Sequence, residues 1–317
     1  MTRIGNSDLD VFPLSLGGNV FGWTADRDES FAILDAFVAG GGDFIDTADS
    51  YSAWVPGNSG GESETIIGEW LASRKPENVV VATKVSQHPD FKGLSAANVR
   101  AAAEASLRRL GVDTIDLYYA HFDDESVQLA ETVRAFGELQ RDGLVRHVAV
   151  SNYTDSRIRE WIDIARSLGI PSPVAIQPHY NLVHRNEVEG AIIPIAQEFH
   201  LGLVPYFSLA KGFLTGKYRS TDAAGQSSPR AQAASAYATE QGLAIVDTLA
   251  RIGEAHGVSV AATALAWLRA QPTVVAPIAS ASRVDQVADL LDGGRVELSA
   301  DEVAELTRVS EWTPASV

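Results

Sequence analysis

Four ionisable side chains that could together donate a proton follow three successive apolar stretches of this sequence. Asp46 and Tyr51 come after the first stretch, Lys84 after the second and His121 after the third. If the stretches are neighbouring strands of one parallel sheet, residues just past their carboxyl ends lie at the same edge. A carboxylate, a phenol, an ammonium and an imidazole would then share one site.

These four residue types are suited to general acid catalysis. A phenol has an ordinary pKa of about 10 and is a slow proton donor at neutral pH. Lys84 beside Tyr51 would stabilise the phenolate and lower that pKa, and Asp46 would keep Lys84 charged. His121 would donate a hydrogen bond to the reacting oxygen. Each residue alone also fits a structural role, so the prediction depends on the combination.

The rest of the sequence predicts an α/β fold, a (β/α)8 TIM barrel in a single domain over residues 1–317. Its apolar runs lack polar alternation, which is typical of parallel strands buried on both faces, and eight such units close into a barrel. A small hairpin at residues 4–11 and two extra helices at 242–256 and 299–310 lie outside the repeat. The predicted strands are residues 12–16, 44–46, 79–83, 115–119, 147–151, 174–177, 201–206 and 274–278. The predicted barrel helices are residues 29–39, 63–73, 95–110, 126–141, 155–167, 188–199, 260–270 and 283–291.

Composition narrows the possible partners. With 25 basic and 41 acidic side chains the chain carries a net charge of -16, which repels nucleic acids and anionic membranes. There is no cysteine, so disulfide and thiolate chemistry are excluded. No apolar stretch reaches the roughly 18 residues of a membrane span, and the start lacks a signal-peptide pattern. We expect a cytoplasmic protein, a monomer or small homo-oligomer, that acts on a small molecule.

At this point the sequence resembles the aldo-keto reductase superfamily over nearly its whole length. The resemblance lies in residues 44–51 (FIDTADSY), 61–64 (GESE) with Gly68, 83–84 (TK), 117–121 (LYYAH), 150–153 (VSNY), 177–181 (QPHYN) and 206–217 (YFSLAKGFLTGK). It implies that Asp46, Tyr51, Lys84 and His121 are the catalytic tetrad, with Tyr51 as the general acid in carbonyl reduction.

The resemblance also implies NADPH as the cofactor, bound in an extended form without a Rossmann fold. Ser151, Asn152 and Gln177 would hold its carboxamide, and Tyr206 would stack on the nicotinamide. Residues 209–214, with Leu209, Lys211 and Gly212, would line the pyrophosphate, and Ser208 is a further implied cofactor contact. Ser280, Ser282, Arg283 and Gln286 would hold the adenosine end.

The match to the family pattern is weaker in two of these loops. Residues 279–282 read Ala-Ser-Ala-Ser, where many relatives have Pro-Gly-Ala-Ser/Arg, and residues 206–209 read Tyr-Phe-Ser-Leu instead of Tyr-Ser-Pro-Leu. The preference for NADP over NAD therefore depends mainly on Arg283 and its pairing with a 2′-phosphate.

Aromatic and histidine side chains after the early strands could form an apolar wall over a carbonyl substrate. They are Phe21, Trp23, Trp54, His88 and Phe122. We expect residues 52–60 to form a lid that carries Trp54, and residues 218–241 to form a mobile loop after the seventh strand.

Three functions follow from these observations. The first is reduction of an aldehyde or ketone, and the second is a cofactor-binding regulatory protein on the same fold, as in channel-associated relatives. The third is a Schiff-base lyase with Lys84 as its nucleophile, although Asp46 would favour the unreactive ammonium. No metal is expected, since His88, His121, His179 and His184 show no metal-binding spacing.

Overall fold

The computed structural model describes residues 1–218, 234 and 236–311. Two short antiparallel strands open the chain, as predicted, with Thr2 paired to Val11 and Arg3 to Asp10. In chain order the strands are β1 (Thr2–Arg3), β2 (Asp10–Val11), β3 (Ser15–Gly17), β4 (Phe44–Asp46), β5 (Val80–Val85), β6 (Gln87–His88), β7 (Phe91–Lys92), β8 (Ile115–Ala120), β9 (Val145–Ser151), β10 (Ala175–Gln177), β11 (Gly202–Leu203) and β12 (Ile278–Ala279).

Eight of these strands form one parallel sheet, ordered β11-β10-β9-β8-β5-β4-β3-β12. The sheet closes because β11 also bonds to the stretch before β12. Leu203 N–H donates to the Thr273 carbonyl, and Val275 N–H donates to the Leu203 carbonyl, both at 2.8 Å. The predicted (β/α)8 barrel is thereby confirmed, and β6 and β7 form a small hairpin beside it.

The helices surround this barrel in the predicted order. They are α1 (Arg27–Ala39), α2 (Glu62–Arg74), α3 (Ala96–Leu110), α4 (Leu129–Arg141), α5 (Asp155–Leu168), α6 (Ile193–Phe199), α7 (Glu240–His256), α8 (Val260–Arg269), α9 (Val287–Arg295) and α10 (Ala300–Val309). The helix predicted at 188–199 divides into a π-helical turn, Val188–Ile192, and α6. The one predicted at 283–291 starts later, since 284–286 form a 3-10 turn. Most of the loop predicted at 218–241 lies outside the described residues.

Local sequence signals explain where several helices begin and end. Ser95 precedes α3 with extended backbone, and Gly111 ends it with φ of 66°, a conformation that glycine adopts without strain. Ser299 and Glu302 form a reciprocal capping box at the start of α10. These caps fix the helix ends that the strand-to-helix loops must reach.

The N-terminal hairpin closes the amino end of the barrel. Ile4, Leu9 and Val11 are buried in one cluster with barrel-interior side chains such as Phe44 and Leu117. The opposite end of the barrel, formed by the carboxyl ends of the strands, stays open, and the loops there can form a site. No helix in the described part of the chain is long and apolar enough to cross a membrane.

Candidate active site

The centre of the site is a buried ion pair in contact with a tyrosine. Asp46 ends β4 and Lys84 lies in β5, and the Lys84 Nζ is 2.6 Å from the Asp46 Oδ2. The same ammonium donates to the Tyr51 hydroxyl at 2.9 Å and to the Thr47 carbonyl at 2.7 Å. All three Lys84 protons therefore have acceptors, which opposes a role for Lys84 as a Schiff-base nucleophile.

The electrostatics of this group differ from the expectation that Lys84 lowers the pKa of Tyr51. Burial and the nearby Asp46 carboxylate hold the pKa of the Tyr51 phenol well above its ordinary value. Burial lowers the pKa of Lys84, although Asp46 opposes that shift. The reason is that Asp46 balances the Lys84 charge, so little net positive charge is left to offset the desolvation of a phenolate. Tyr51 is accordingly a fully protonated donor at neutral pH.

His121 follows β8 and stands beside Tyr51, with ring centroids 6.2 Å apart. Burial and the positive charge of Lys84 hold the pKa of His121 well below its ordinary value, so the imidazole is neutral. The Asn152 amide donates to the His121 backbone carbonyl at 2.9 Å. A neutral imidazole has one N–H to donate to an oxygen placed between the two rings.

The residues after β9, β10 and β11 form a connected polar group next to this centre. Ser151 Oγ donates to the Gln177 carbonyl at 2.9 Å, and the Gln177 amide donates to Asp46 Oδ1 at 2.9 Å. Asn152, with a left-handed φ of 56°, accepts the Tyr206 hydroxyl at 2.7 Å. The structure therefore brings the four sequence-predicted residues of this part of the site into one hydrogen-bonded group, in which Gln177 contacts the ion pair.

One face of the Tyr206 ring is covered by a residue that the cofactor prediction omitted. His179 stacks on Tyr206 with centroids 5.4 Å apart and an interplanar angle of 23°, and His184 stacks behind His179 at 3.8 Å. Burial lowers the pKa of His179 to about 4. Its position directly after Gln177-Pro178 was the available signal, but its sequence neighbours do not reveal a ring stack.

The loop after Tyr206 has unusual backbone geometry. Phe207, Ala210 and Lys211 have left-handed φ values of 52°, 47° and 57°, followed by Gly212 at 96°. Consecutive turns of this kind can direct backbone N–H groups into an anion-binding concavity. The Ser208 hydroxyl is instead buried and donates to the Pro205 carbonyl at 3.0 Å. Leu209 is half-buried between two parts of the core. Within the loop the Ala210 and Gly212 N–H groups donate to the Phe207 and Leu209 carbonyls, at 2.7 and 2.8 Å.

The predicted adenosine end lies after β12. Ser280 Oγ donates to Asn19 Oδ1 at 2.6 Å, and Ser282 N–H donates to Gln286 Oε1 at 2.9 Å. Arg283 is exposed and pairs with Asp285 at 2.9 Å. Asn19 follows β3 and carried no signal in the sequence, since its contact depends on barrel closure between β3 and β12.

Of the five residues predicted for the substrate wall, three stand at the mouth of the site. Trp54 is exposed and packs edge-on against Trp23 at 5.6 Å and against Tyr51 at 6.2 Å. The exposed Phe122 ring lies 4.9 Å from His121. Phe207, not predicted, is also exposed and packs against Tyr206.

The structure does not bring Phe21 and His88 to that wall. Phe21 is completely buried in the core, and its carbonyl accepts the Ser52 hydroxyl. His88 is buried in the β6–β7 hairpin, where its Nδ1 accepts the Asp90 N–H at 3.1 Å. Aromatic type and position after a strand could not distinguish these inward-facing rings from those at the mouth.

A sequence model of the Aldo/keto reductase family matches residues 13–311 of the chain. The chain belongs to the aldo/keto reductase family. It is 32% identical to Protein tas of Escherichia coli (strain K12), over 98% of this chain and 97% of that protein. It is also 32% identical to a probable voltage-gated potassium channel subunit beta of Oryza sativa subsp. japonica, over 90% and 88%. Norsolorinic acid reductase B of Aspergillus parasiticus is 29% identical, over 97% and 83%. Family membership and a reductase among these relatives support an oxidoreductase.

Proposed function

We propose that this protein reduces an aldehyde or ketone to an alcohol, with a hydride from NADPH and a proton from Tyr51. The observation that carries the proposal is the contact of the Tyr51 hydroxyl with Lys84 in a buried pair with Asp46, at the open end of the barrel. A protonated phenol fixed beside an ammonium can give its proton to a developing alkoxide while the ammonium limits the charge left behind.

The direction of proton movement follows from the charges in the site. Tyr51 is protonated at neutral pH, so it is ready for reduction, whereas alcohol oxidation would need the phenolate. Neutral His121, at 6.2 Å between ring centroids from Tyr51, would donate a second hydrogen bond to the carbonyl oxygen. Together the two residues would hold that oxygen and polarise the carbonyl.

The described residues fit a nicotinamide cofactor. The amide side chains of Asn152 and Gln177 complement a carboxamide, and Tyr206, backed by His179, offers a ring for stacking. The loop at Lys211 and Gly212 would hold the pyrophosphate, and Ser280, Ser282, Arg283 and Gln286 the adenosine end. When bound, this cofactor supplies the hydride. Arg283 is the residue that would favour a 2′-phosphate and hence NADPH.

We propose that Trp23, Trp54 and Phe122, with Phe207, form the substrate wall. These rings are grouped around Tyr51, His121 and Tyr206, and three of the four are exposed. An aromatic wall favours a carbonyl compound with a planar or bulky apolar group. We also propose a single cytoplasmic domain, a monomer or small homo-oligomer, whose partner is a small molecule, since a charge of -16 disfavours nucleic acid.

The test is Tyr51→Phe, which removes the hydroxyl and keeps the ring. Oxidation of NADPH and NADH would be followed by absorbance against a panel of aldehydes, ketoses, steroids and quinones. We expect turnover to fall by about 10²-fold or more, while cofactor binding, measured by fluorescence, stays within about threefold. Tyr153→Phe is the matched control, because Tyr153 is a phenol buried in the core, where it packs against Trp161 of α5. Near-normal turnover of Tyr51→Phe would refute the proposal.

A second candidate function has one observation in its favour, the identity to a potassium channel subunit beta. On that alternative the chain would bind the cofactor and regulate a partner without turnover. Tight NADPH binding combined with no reduction across the carbonyl panel would favour it. Reduction that depends on Tyr51 would favour the reductase.

A further inference from the structure

A second carboxyl group lies behind the ion pair and has no counterpart in the proposed reaction. Asp49 follows β4 between Asp46 and Tyr51, and its backbone N–H donates to the Lys84 carbonyl at 3.2 Å. The side chain is completely buried, and both carboxyl oxygens lack a hydrogen-bond partner among the described residues. The Tyr118 hydroxyl is likewise buried without a partner.

The cations near Asp49 are already paired with other carboxylates. Arg109, from α3, donates to Glu64 Oε2 at 2.6 Å, and Thr83 Oγ1 donates to Glu64 Oε1 at 2.5 Å. Lys84 is paired with Asp46 at 2.6 Å. Among the described residues, an ionised Asp49 would thus be a buried charge without a direct ion pair, which proteins avoid by keeping the group neutral.

The packing of α2 against α3 keeps this arrangement rigid. Gly68 of α2 approaches α3 so closely that an added Cβ would lie 2.1 Å from the Arg109 carbonyl oxygen. Glu64, one turn earlier in α2, is fully buried, and the Arg109 side chain lies over Gly61. This packing fixes the helices that carry Glu64 and Arg109, and in the structure Arg109 is paired with Glu64.

The ionisable groups that interact with Asp49 come from four different elements. The groups are Glu64 of α2, Arg109 of α3, Lys84 of β5 and Tyr118 of β8. Burial first, and the Glu64 charge second, raise the pKa of Asp49 well above its ordinary value, while the Arg109 charge, the nearby Ser50 backbone N–H and the Lys84 charge oppose the shift. His88 of β6 also interacts with Arg109 and Glu64.

Among the described residues around Asp49, the two ion pairs balance each other in charge when Asp49 is neutral. Lys84 and Arg109 supply two positive charges, and Asp46 and Glu64 supply two negative ones. Ionisation of Asp49 would add a third negative charge directly behind Lys84. That charge would make the Tyr51 phenolate less favourable, since like charges destabilise each other in a low-dielectric interior.

We propose that Asp49 carries a proton at neutral pH and that its ionisation weakens Tyr51 as a proton donor. Asp49 is a positioning residue, because it acts through Lys84 and touches neither substrate nor cofactor. The second half of this inference rests on the proposed reductase function, whereas the first half does not. Reduction would then lose rate on the alkaline side of neutrality. Tyr51 itself cannot produce that loss below about pH 10, since its own pKa lies higher.

The first experiment locates the proton without reference to activity. Infrared difference spectra of the full-length protein, recorded between neutral and alkaline pH, report the carbonyl stretch of a protonated carboxylic acid. We expect a band that disappears with rising pH and is missing in Asp49→Asn. Asp43→Asn is the matched control, because Asp43 is a half-buried carboxyl at the other end of β4 that accepts the Phe12 N–H at 2.7 Å. An unchanged band in Asp49→Asn would overturn the proposal.

The second experiment compares pH profiles of kcat/KM for carbonyl reduction. The parent and Asp43→Asn should lose roughly three- to tenfold as Asp49 ionises, an estimate for one charge acting at an effective dielectric of about 20. Asp49→Asn should lack this loss. Superposable pH profiles of the parent and Asp49→Asn would overturn the proposal. If the parent shows no turnover that depends on Tyr51, that result would count against the reductase function only.

Glu64→Gln keeps the proposal testable if Asp49→Asn does not fold. Glutamine keeps one oxygen to accept from Arg109, and its amide can donate to the Thr83 hydroxyl oxygen. The substitution removes the negative charge that helps hold the proton on Asp49. We expect both the infrared transition and the fall in kcat/KM to move to lower pH. A purely structural role for Glu64 predicts no such shift, and a shift to higher pH would contradict the proposal.

Discussion

Replacing Asp46 by asparagine tests the electrostatics of the site most directly. Asp46 is the only carboxylate in an ion pair with Lys84 among the described residues, and both side chains are essentially inaccessible, at 0% and 1% exposure. Asp46→Asn leaves a buried ammonium without its counter-charge. Breaking a buried pair in this way costs about 3–5 kcal/mol. Loss of the Asp46 charge removes the main interaction that opposes desolvation of Lys84, so the pKa of Lys84 falls further.

The variant should therefore avoid much of the penalty by releasing the Lys84 proton. An unfolded lysine has a pKa of about 10.4, so in the variant the unfolded chain binds more protons than the folded chain between the depressed folded value and that pH. Stability rises with pH wherever the unfolded state binds more protons. We expect the free energy of unfolding of Asp46→Asn to rise by up to about 1.4 kcal/mol per pH unit from neutral to alkaline pH.

Urea unfolding across a pH series measures this slope. The double variant Asp46→Asn/Lys84→Met removes both charges and should be more stable than Asp46→Asn alone at neutral pH, with a flatter pH dependence. Turnover should be low in both. A loss of less than about 1 kcal/mol in Asp46→Asn, with no pH dependence, would refute the argument that a buried charge balance holds the site together.

The remaining predictions concern the cofactor end, the ring stack and the helix packing. Arg283→Ala should weaken NADPH binding about tenfold or more, with little effect on NADH binding, as measured by fluorescence titration. Asp285→Asn releases Arg283 from its 2.9 Å ion pair and should strengthen NADPH binding. Equal effects on both cofactors would contradict the assignment of Arg283 to the 2′-phosphate. His179 has a pKa of about 4 in the folded protein, whereas an unfolded histidine has a pKa of about 6.5. The free energy of unfolding should therefore fall as the pH is lowered from 6.5 to 4, because the unfolded chain binds the extra proton. His179→Gln should reduce this pH dependence in urea unfolding, and an unchanged dependence would contradict the prediction. Gly68→Ala should lower the free energy of unfolding by about 1–3 kcal/mol or more, because the new Cβ would lie 2.1 Å from a backbone oxygen. Gly190→Ala is the control: there is open space around the new methyl group, so this variant should be neutral or slightly stabilising. Equal melting temperatures for the two variants would refute the packing argument.

The order of elements could be read from the sequence because it depends on local signals. Apolar runs without polar alternation and helix caps such as Ser95 and Gly111 are written in neighbouring residues. The late start of α9 could not be read in this way, because the 3-10 turn at 284–286 is held by a long-range bond from Val284 N–H to Glu29. Long-range contacts therefore adjusted boundaries that local signals left open.

The side chains after the strands show the same division. Asp46, Tyr51, Lys84 and His121 could be grouped from the sequence, since the parallel register of a barrel brings strand ends together whatever the loops do. The sequence could not show which of the predicted substrate-wall residues face the site. Phe21 and Trp23 are two positions apart, yet one is in the core and the other is at the mouth, because loop conformation decides which way a ring faces.

The sequence by itself determined the residue types of the site and the strand ends that carry them, since chemistry and periodicity are properties of the chain. Tertiary structure alone decided the protonation of those residues. Whether Tyr51 is a strong or a weak acid depends on burial and on how fully Asp46 balances Lys84. Nothing in the residues next to Asp49 indicates that its carboxyl group is enclosed without an ion-pair partner among the described residues. Electrostatic interaction energies depend on the distance between charges and on the exclusion of water. These distances and this burial are set only when strands and helices far apart in sequence pack together.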